Sequence, residues 1–203
     1  MKYKYPRTPH LPFSPGATSD DIFSTTNFKG REIVITEKMD GENTSLYSNY
    51  YHARSIDSKH NESQSWLKNY HSQIAYKIPQ NWRLCGENLY TVHSLSYTNL
   101  KSYFLLFSIW EEELCLSWQD TVDFASELEV ILVPVLYQGE YSEKLVKELV
   151  ASLDLTKQEG IVIRIADSFK YSEFSNSVAK WVRKNHVTTA NHWKQSKLEL
   201  NTL

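Results

Sequence analysis

Two cysteines in 203 residues are too few for a disulfide framework. Cys85 and Cys115 each stand alone in an apolar run, not in the clustered pairs that a cysteine-based zinc site needs. A reducing compartment is expected: the cytoplasm, or a host cell's cytoplasm if the protein is viral. Six glycines and six prolines exclude collagen-like and low-complexity chains. There is no Gly-x-x-x-x-Gly-Lys loop to cradle phosphates, which argues against a P-loop kinase. Apolar runs are short. The longest, at 104–110 and 130–137, fall well below the roughly 20 residues needed to cross a bilayer. The opening MKYKYPRTPH has no apolar signal core, so neither export nor a membrane is expected. Charge of one sign is not in excess either, since 22 Lys+Arg face 24 Asp+Glu for a formal net charge of −2. That balance still permits a nucleic-acid partner, because phosphate binding depends on a local basic face and not on the sum. The seven histidines are scattered, and His186 and His192 lack metal-ligand spacing.

With 41% hydrophobic and 23% charged residues, the chain is long enough to bury a core as a single domain over 1–203. Pro6, Pro9, Pro12 and Pro15 make 1–28 an ordered but irregular lead-in. β-Branched and aromatic runs predict strands at 31–38, 44–54, 82–90, 103–110, 114–118, 130–137, 160–166 and 177–183. The first two are joined through Asp40-Gly41, and 103–110 and 114–118 form a hairpin through three glutamates. Helical spacing predicts helices at 66–78, 119–128 and 142–153, with a short helix at 192–200 inside a C-terminal tail over 185–203. Strands with a few inserted helices, without strict alternation, predict an α+β fold built on antiparallel sheets.

The candidate chemistry begins at Thr36-Glu37-Lys38-Met39-Asp40-Gly41-Glu42-Asn43, where a lysine closes a strand just before a turn. A lone lysine in such a place is ordinarily a solvated side chain. Here it is followed in order by Arg54, Cys85-Gly86-Glu87-Asn88, an aromatic strand containing Phe107, Glu159-Gly160-Ile161-Val162-Ile163-Arg164, and Ala179-Lys180-Trp181-Val182-Arg183. This ordered set resembles the covalent nucleotidyltransferase superfamily of ATP-dependent ligases and capping enzymes. The resemblance is greatest to its RNA ligase branch, in particular the compact bacterial and phage ligases. It implies two antiparallel sheets flanked by helices around an ATP cleft, an adenylyltransferase or ATP-grasp-like ligase domain. The short stretch after Lys184 implies no C-terminal OB domain.

By that resemblance Lys38 is the nucleophile, with Asp40 and Gly41 completing its motif. Glu37 and Asn43 lie near the adenylate, Arg54 contacts ribose or phosphate, and Phe107 stacks on adenine, which is worth about 1–3 kcal/mol for such a contact. Glu87 and Glu159 hold the water shell of Mg2+ or Mn2+. Lys180 is the first cation of the last motif, and Arg183 or Lys184 stands in for the second, since position 182 is Val. Attack on a phosphorus needs a neutral amine, and an ordinary lysine titrates near about 10.4. Lys38 is therefore expected to be depressed by burial, by Lys180 or by metal. The implied activity is ATP-dependent sealing of RNA 5′-phosphate and 3′-hydroxyl ends through lysyl-AMP, with RNA and ATP as partners; the oligomeric state is left open, a monomer among the options. The alternatives are a DNA ligase or polynucleotide adenylyltransferase of the same superfamily, or a non-catalytic nucleotide- or RNA-binding module.

Overall fold

The computed structural model describes residues 1–17, 21–57, 62–184 and 199–203. In chain order the elements are β1 (Glu32–Lys38), β2 (Glu42–Leu46), β3 (Tyr51–Ala53), α1 (Ser65–Ile74), β4 (Trp82–Asn88), β5 (Phe104–Glu111), β6 (Leu114–Cys115), α2 (Trp118–Leu128), β7 (Val135–Glu140), α3 (Glu143–Ala151), β8 (Gly160–Ile165), β9 (Phe169–Lys170), α4 (Phe174–Ser177) and β10 (Val178–Val182). The strands form two antiparallel sheets, one ordered β10-β8-β1-β7 and the other β3-β2-β4-β5-β6-β9. The expected α+β class and paired antiparallel sheets are what the chain adopts.

β1 reads as an unbroken apolar run because both of its faces are covered. Ile33 and Ile35 join Ile161, Ile163 and Ile165 of β8 and Trp110 of β5 in one core. Val34 points the other way, into a cluster with Leu105, Trp118 and Val133. A further core lies where α1 (Leu67, Ile74) and α2 (Ala125, Leu128) cover Leu84, Leu106 and Ile109 of the larger sheet.

Several boundaries differ from expectation for identifiable reasons. Residues 44–54 do not form one strand: Tyr47 N–H donates to Tyr50 O at 2.8 Å, which reverses the chain and splits it into β2 and β3. The strand expected at 114–118 stops at Cys115, because Ser117 caps α2 by accepting from Asp120 N–H at 3.1 Å. The run 130–137 serves both sheets. Leu106 N–H donates to Ile131 O at 2.8 Å and Val133 N–H to Leu106 O at 2.9 Å, after which the chain crosses at Pro134 and pairs as β7 with β1. β9 and α4 were not anticipated. The helix expected at 192–200 lies outside the described residues up to 198; beyond that the chain is extended, with Leu200 bridging Thr91.

Two connections position the site. β1 and β2 belong to different sheets, so Asp40-Gly41 is a crossing from one sheet to the other and not a hairpin turn. A Cβ on Gly41 would sit 2.5 Å from Asn88 O. Glycine is required there for close approach. Over its described residues the lead-in is ordered without being an α-helix or a strand, as expected. Lys180 N–H donates to Pro9 O at 2.9 Å and Leu11 N–H to Lys180 O at 2.8 Å, strapping the segment along β10.

Candidate active site

A cavity of about 510 Å³ opens between the sheets. The end of β1 supplies Glu37 and Lys38, β2 Asn43, β4 Glu87, β5 Phe107, and β10 Lys180, while Arg54 follows β3. Register explains the convergence. Lys38 lies opposite Gly160 on β8, and Lys180 opposite Val162, which brings Glu159 alongside the lysine. The Lys38 ammonium donates to the Glu159 carboxylate, which is buried. Gly160 permits this packing, because a Cβ there would collide with Trp181 O of β10.

The charges around Lys38 are tightly coupled. Burial pushes the Glu87 carboxyl up to about 8 against the pull of Lys38, and it raises Glu159 in the same way. For Lys38 burial works downward, but the Glu159 and Glu87 carboxylates outweigh it and hold the amine above its ordinary value. Lys180 is lowered, first by burial and then by the Lys38 charge. The expectation of a depressed Lys38 is thus corrected for the ligand-free protein. In this state the amine is a clamped ammonium, and the depressed lysine is Lys180.

Asp40 acts at a distance from the cavity. One of its carboxylate oxygens accepts from Ser94 N–H and Oγ–H, both at 2.7 Å, and from Leu95 N–H at 2.9 Å, and its own N–H donates to Tyr97 Oη at 2.9 Å. It ties the crossing after Lys38 to the loop after β4. Gly41 N–H donates to Glu87 at 3.2 Å, and Glu37 accepts from Gln158 Nε2 at 3.0 Å. Phe107 lies at the cavity wall with its ring against Tyr5, 5.2 Å between centroids and nearly perpendicular. Arg164 is buried, donating to Phe107 O at 2.7 Å and to Cys115 Sγ at 3.0 Å, so it props the wall.

Of the sequence-derived candidates, Glu37, Lys38, Asn43, Arg54, Glu87, Phe107 and Lys180 line the cavity, and Glu159 backs Lys38. Arg183 and Lys184 do not line it. Alternation along β10 turns Arg183 away from the Lys180 side, and it donates to Ser94 Oγ at 3.2 Å; Lys184 is exposed. Besides Lys38, the cations that line the cavity are Arg7, Arg54, Arg164 and Lys180. Sequence reasoning missed the lead-in as cavity lining: Tyr5, Arg7, Thr8 and His10 all face it. The Tyr-Pro-Arg-Thr-Pro-His motif was the available signal. It also missed Asn201, a buried residue whose amide accepts from Tyr97 N–H at 2.7 Å and donates to Leu89 O at 2.7 Å and Thr91 O at 3.2 Å. Asn201 clasps the loop that holds Asp40, and no local pattern announces it.

Glu87 and Glu159 are the residues suited to a divalent cation. Burial raises both carboxyls, Glu159 pairs with the Lys38 ammonium and Glu87 accepts from Gly41 N–H, so added positive charge is favourable there. Among the described residues no group of three or more His, Cys, Asp or Glu side chains could hold a metal ion.

The sequence model of the RNA ligase family matches residues 31–182, the span that builds this cavity from β1 to β10. The chain belongs to the RNA ligase family. Solved RNA ligases share its fold. An archaeal ATP-dependent RNA ligase superposes with a TM-score of 0.63, 13% identity and coverage of 88% of this chain and 48% of that one. A Naegleria gruberi RNA ligase variant determined with ATP and Mn gives 0.57, 18%, 80% and 52%, and another determined with AMP and Mn gives 0.56, 16%, 80% and 53%. The chain thus spans about half the length of these ligases. No curated protein sequence matches it. Among the described residues no helix is long and apolar enough to cross a membrane.

Proposed function

We propose that this RNA ligase family member is an ATP-dependent RNA ligase that seals 5′-phosphate to 3′-hydroxyl RNA ends and serves in RNA repair. The observation that carries the reading is the Lys38 amine, set in a cavity between Glu159, Glu87 and Lys180 with Phe107 on the wall. A binding module has no need of a half-buried amine whose protonation is governed by two carboxylates.

In the proposed reaction the Lys38 ammonium first passes one proton to the Glu159 carboxylate that accepts its hydrogen bond. Its nitrogen then bonds to the α-phosphorus of ATP as the bond to the bridging oxygen breaks, and pyrophosphate leaves. The 5′-phosphate of RNA next attacks that phosphorus, breaking the N–P bond and restoring the amine. Finally a 3′-hydroxyl attacks the activated 5′-phosphate and AMP departs. Lys180 and Arg54 stand where they can face triphosphate oxygens, and Phe107 offers its ring to the base. A magnesium or manganese ion held through its water shell by Glu87 and Glu159 would offset the carboxylate charge that keeps Lys38 protonated and neutralise the triphosphate. The free, buried Cys85 and Cys115 support a cytoplasmic setting.

The test is sealing of matched nicked RNA, nicked DNA and hybrid duplexes with ATP, GTP or NAD supplied separately. RNA joining with ATP alone supports the proposal. Joining confined to DNA transfers the assignment to the DNA ligase alternative, and an absence of any nucleotide-dependent product refutes it.

A further inference from the structure

Beside the nucleotide cavity runs a second, shallower groove of about 660 Å³, lined by Lys4, Tyr5, Pro6, Arg7, Arg54, Ser55 and Tyr171. Tyr5, Pro6, Arg7 and Arg54 line both spaces, so the groove adjoins the cavity that holds Lys38. Three cations face it, and none of the described residues lining it is acidic. Arg7 shares its charge with Asp21 at 2.6 Å. Lys4 and Arg54 have no carboxylate partner among the described residues. The walls are fixed through backbone: Tyr171 Oη–H donates to Lys4 O at 2.7 Å, and Arg54 Nε–H donates to Tyr5 O at 3.5 Å. This is a local basic face within a chain of net charge −2.

We infer that this groove receives the phosphodiester backbone of the 5′-phosphorylated RNA strand and guides its terminal phosphate into the cavity. The inference rests on the ligase reading and adds to it the path of the polynucleotide and the role of the lead-in. A trough fixed through backbone, adjoining the cavity and holding two cations, Lys4 and Arg54, with no carboxylate partner among the described residues, recognises phosphates irrespective of base. Lys4 supplies a phosphate contact outside the cavity, whereas Arg7 and Arg54 face both spaces.

Lys4 is exposed, so its replacement does not threaten the fold and leaves the nucleotide cavity untouched. The experiment compares full-length wild type, Lys4→Ala and Lys4→Glu in two assays on the same preparations. The first is covalent labelling by ATP carrying α-phosphate label. The second is binding of a 5′-phosphorylated single-stranded RNA oligonucleotide over a salt series. Expected are unchanged labelling, weaker RNA binding to the same degree for unrelated sequences, and a salt slope smaller by about 0.7 per lost phosphate contact. Normal labelling with unchanged RNA affinity and slope overturns the groove inference and leaves the ATP reading standing. A wild type that takes no label overturns the functional reading, and the inference falls with it.

Discussion

Replacing Glu87 with Gln is expected to stabilise the metal-free protein at alkaline pH while abolishing its nucleotide chemistry. Burial holds this carboxyl up at about 8 in the folded chain, against an ordinary 4.5. Between those values the folded state keeps a proton that the unfolded state has released. Glu87 therefore contributes stability that is fully present below about 4.5 and lost as pH rises through about 8. Glutamine has no proton to lose and escapes this penalty. At about 1.36 kcal/mol for each pKa step the ceiling is about 5 kcal/mol. Glu87 is only half-buried, and solvent screening reduces the figure to about 2 kcal/mol. For a chain of this length that is a melting temperature higher by about 4–8 °C. Scanning calorimetry in chelator should show the difference between Glu87→Gln and wild type near zero at about pH 5 and growing to that size at about pH 8.5. A difference that is constant with pH, or that shrinks as pH rises, refutes the electrostatic account of the cavity.

Two other perturbations probe separate parts of the site. Phe107→Ala should cost about 1–3 kcal/mol of ATP binding, roughly five- to hundredfold in affinity, measured by titration calorimetry; unchanged affinity would remove the ring from the base. Asn201→Ala leaves Tyr97 N–H and the Leu89 carbonyl without their partner and should destabilise by about 2–4 kcal/mol. Because it loosens the grip on Asp40, labelling at a temperature where the variant is fully folded should also slow, with the loss in maximal rate and not in ATP affinity. Labelling at the wild-type rate would reduce Asn201 to a purely structural clasp.

Much of this architecture was legible in the sequence because it depends on local pattern. The run Ile33-Val34-Ile35 announces a strand covered on both faces, and the apolar spacing over Trp66, Leu67, Tyr70 and Ile74 announces α1. The ordered motifs named seven residues that line the cavity. What stayed hidden depends on distant partners. Nothing local says that Asp40-Gly41 passes between sheets, since the reason for Gly41 is the carbonyl of Asn88. The proline-spaced lead-in reads as irregular, yet its hydrogen bonds go to Lys180. The raised state of Lys38 is set by Glu159, 121 residues away in the chain. Arg183 and Lys184 were assigned by proximity to Lys180, and strand alternation sends Arg183 elsewhere.

The central claim is that one amine, Lys38, takes the adenylyl group. The direct measurement is peptide mass spectrometry of the full chain after incubation with ATP and magnesium, before RNA is added. A single AMP adduct on the peptide containing Lys38, absent from Lys38→Ala and discharged by 5′-phosphorylated RNA, is the predicted result. An adduct on another residue, or none on a protein that still joins RNA ends, contradicts the account.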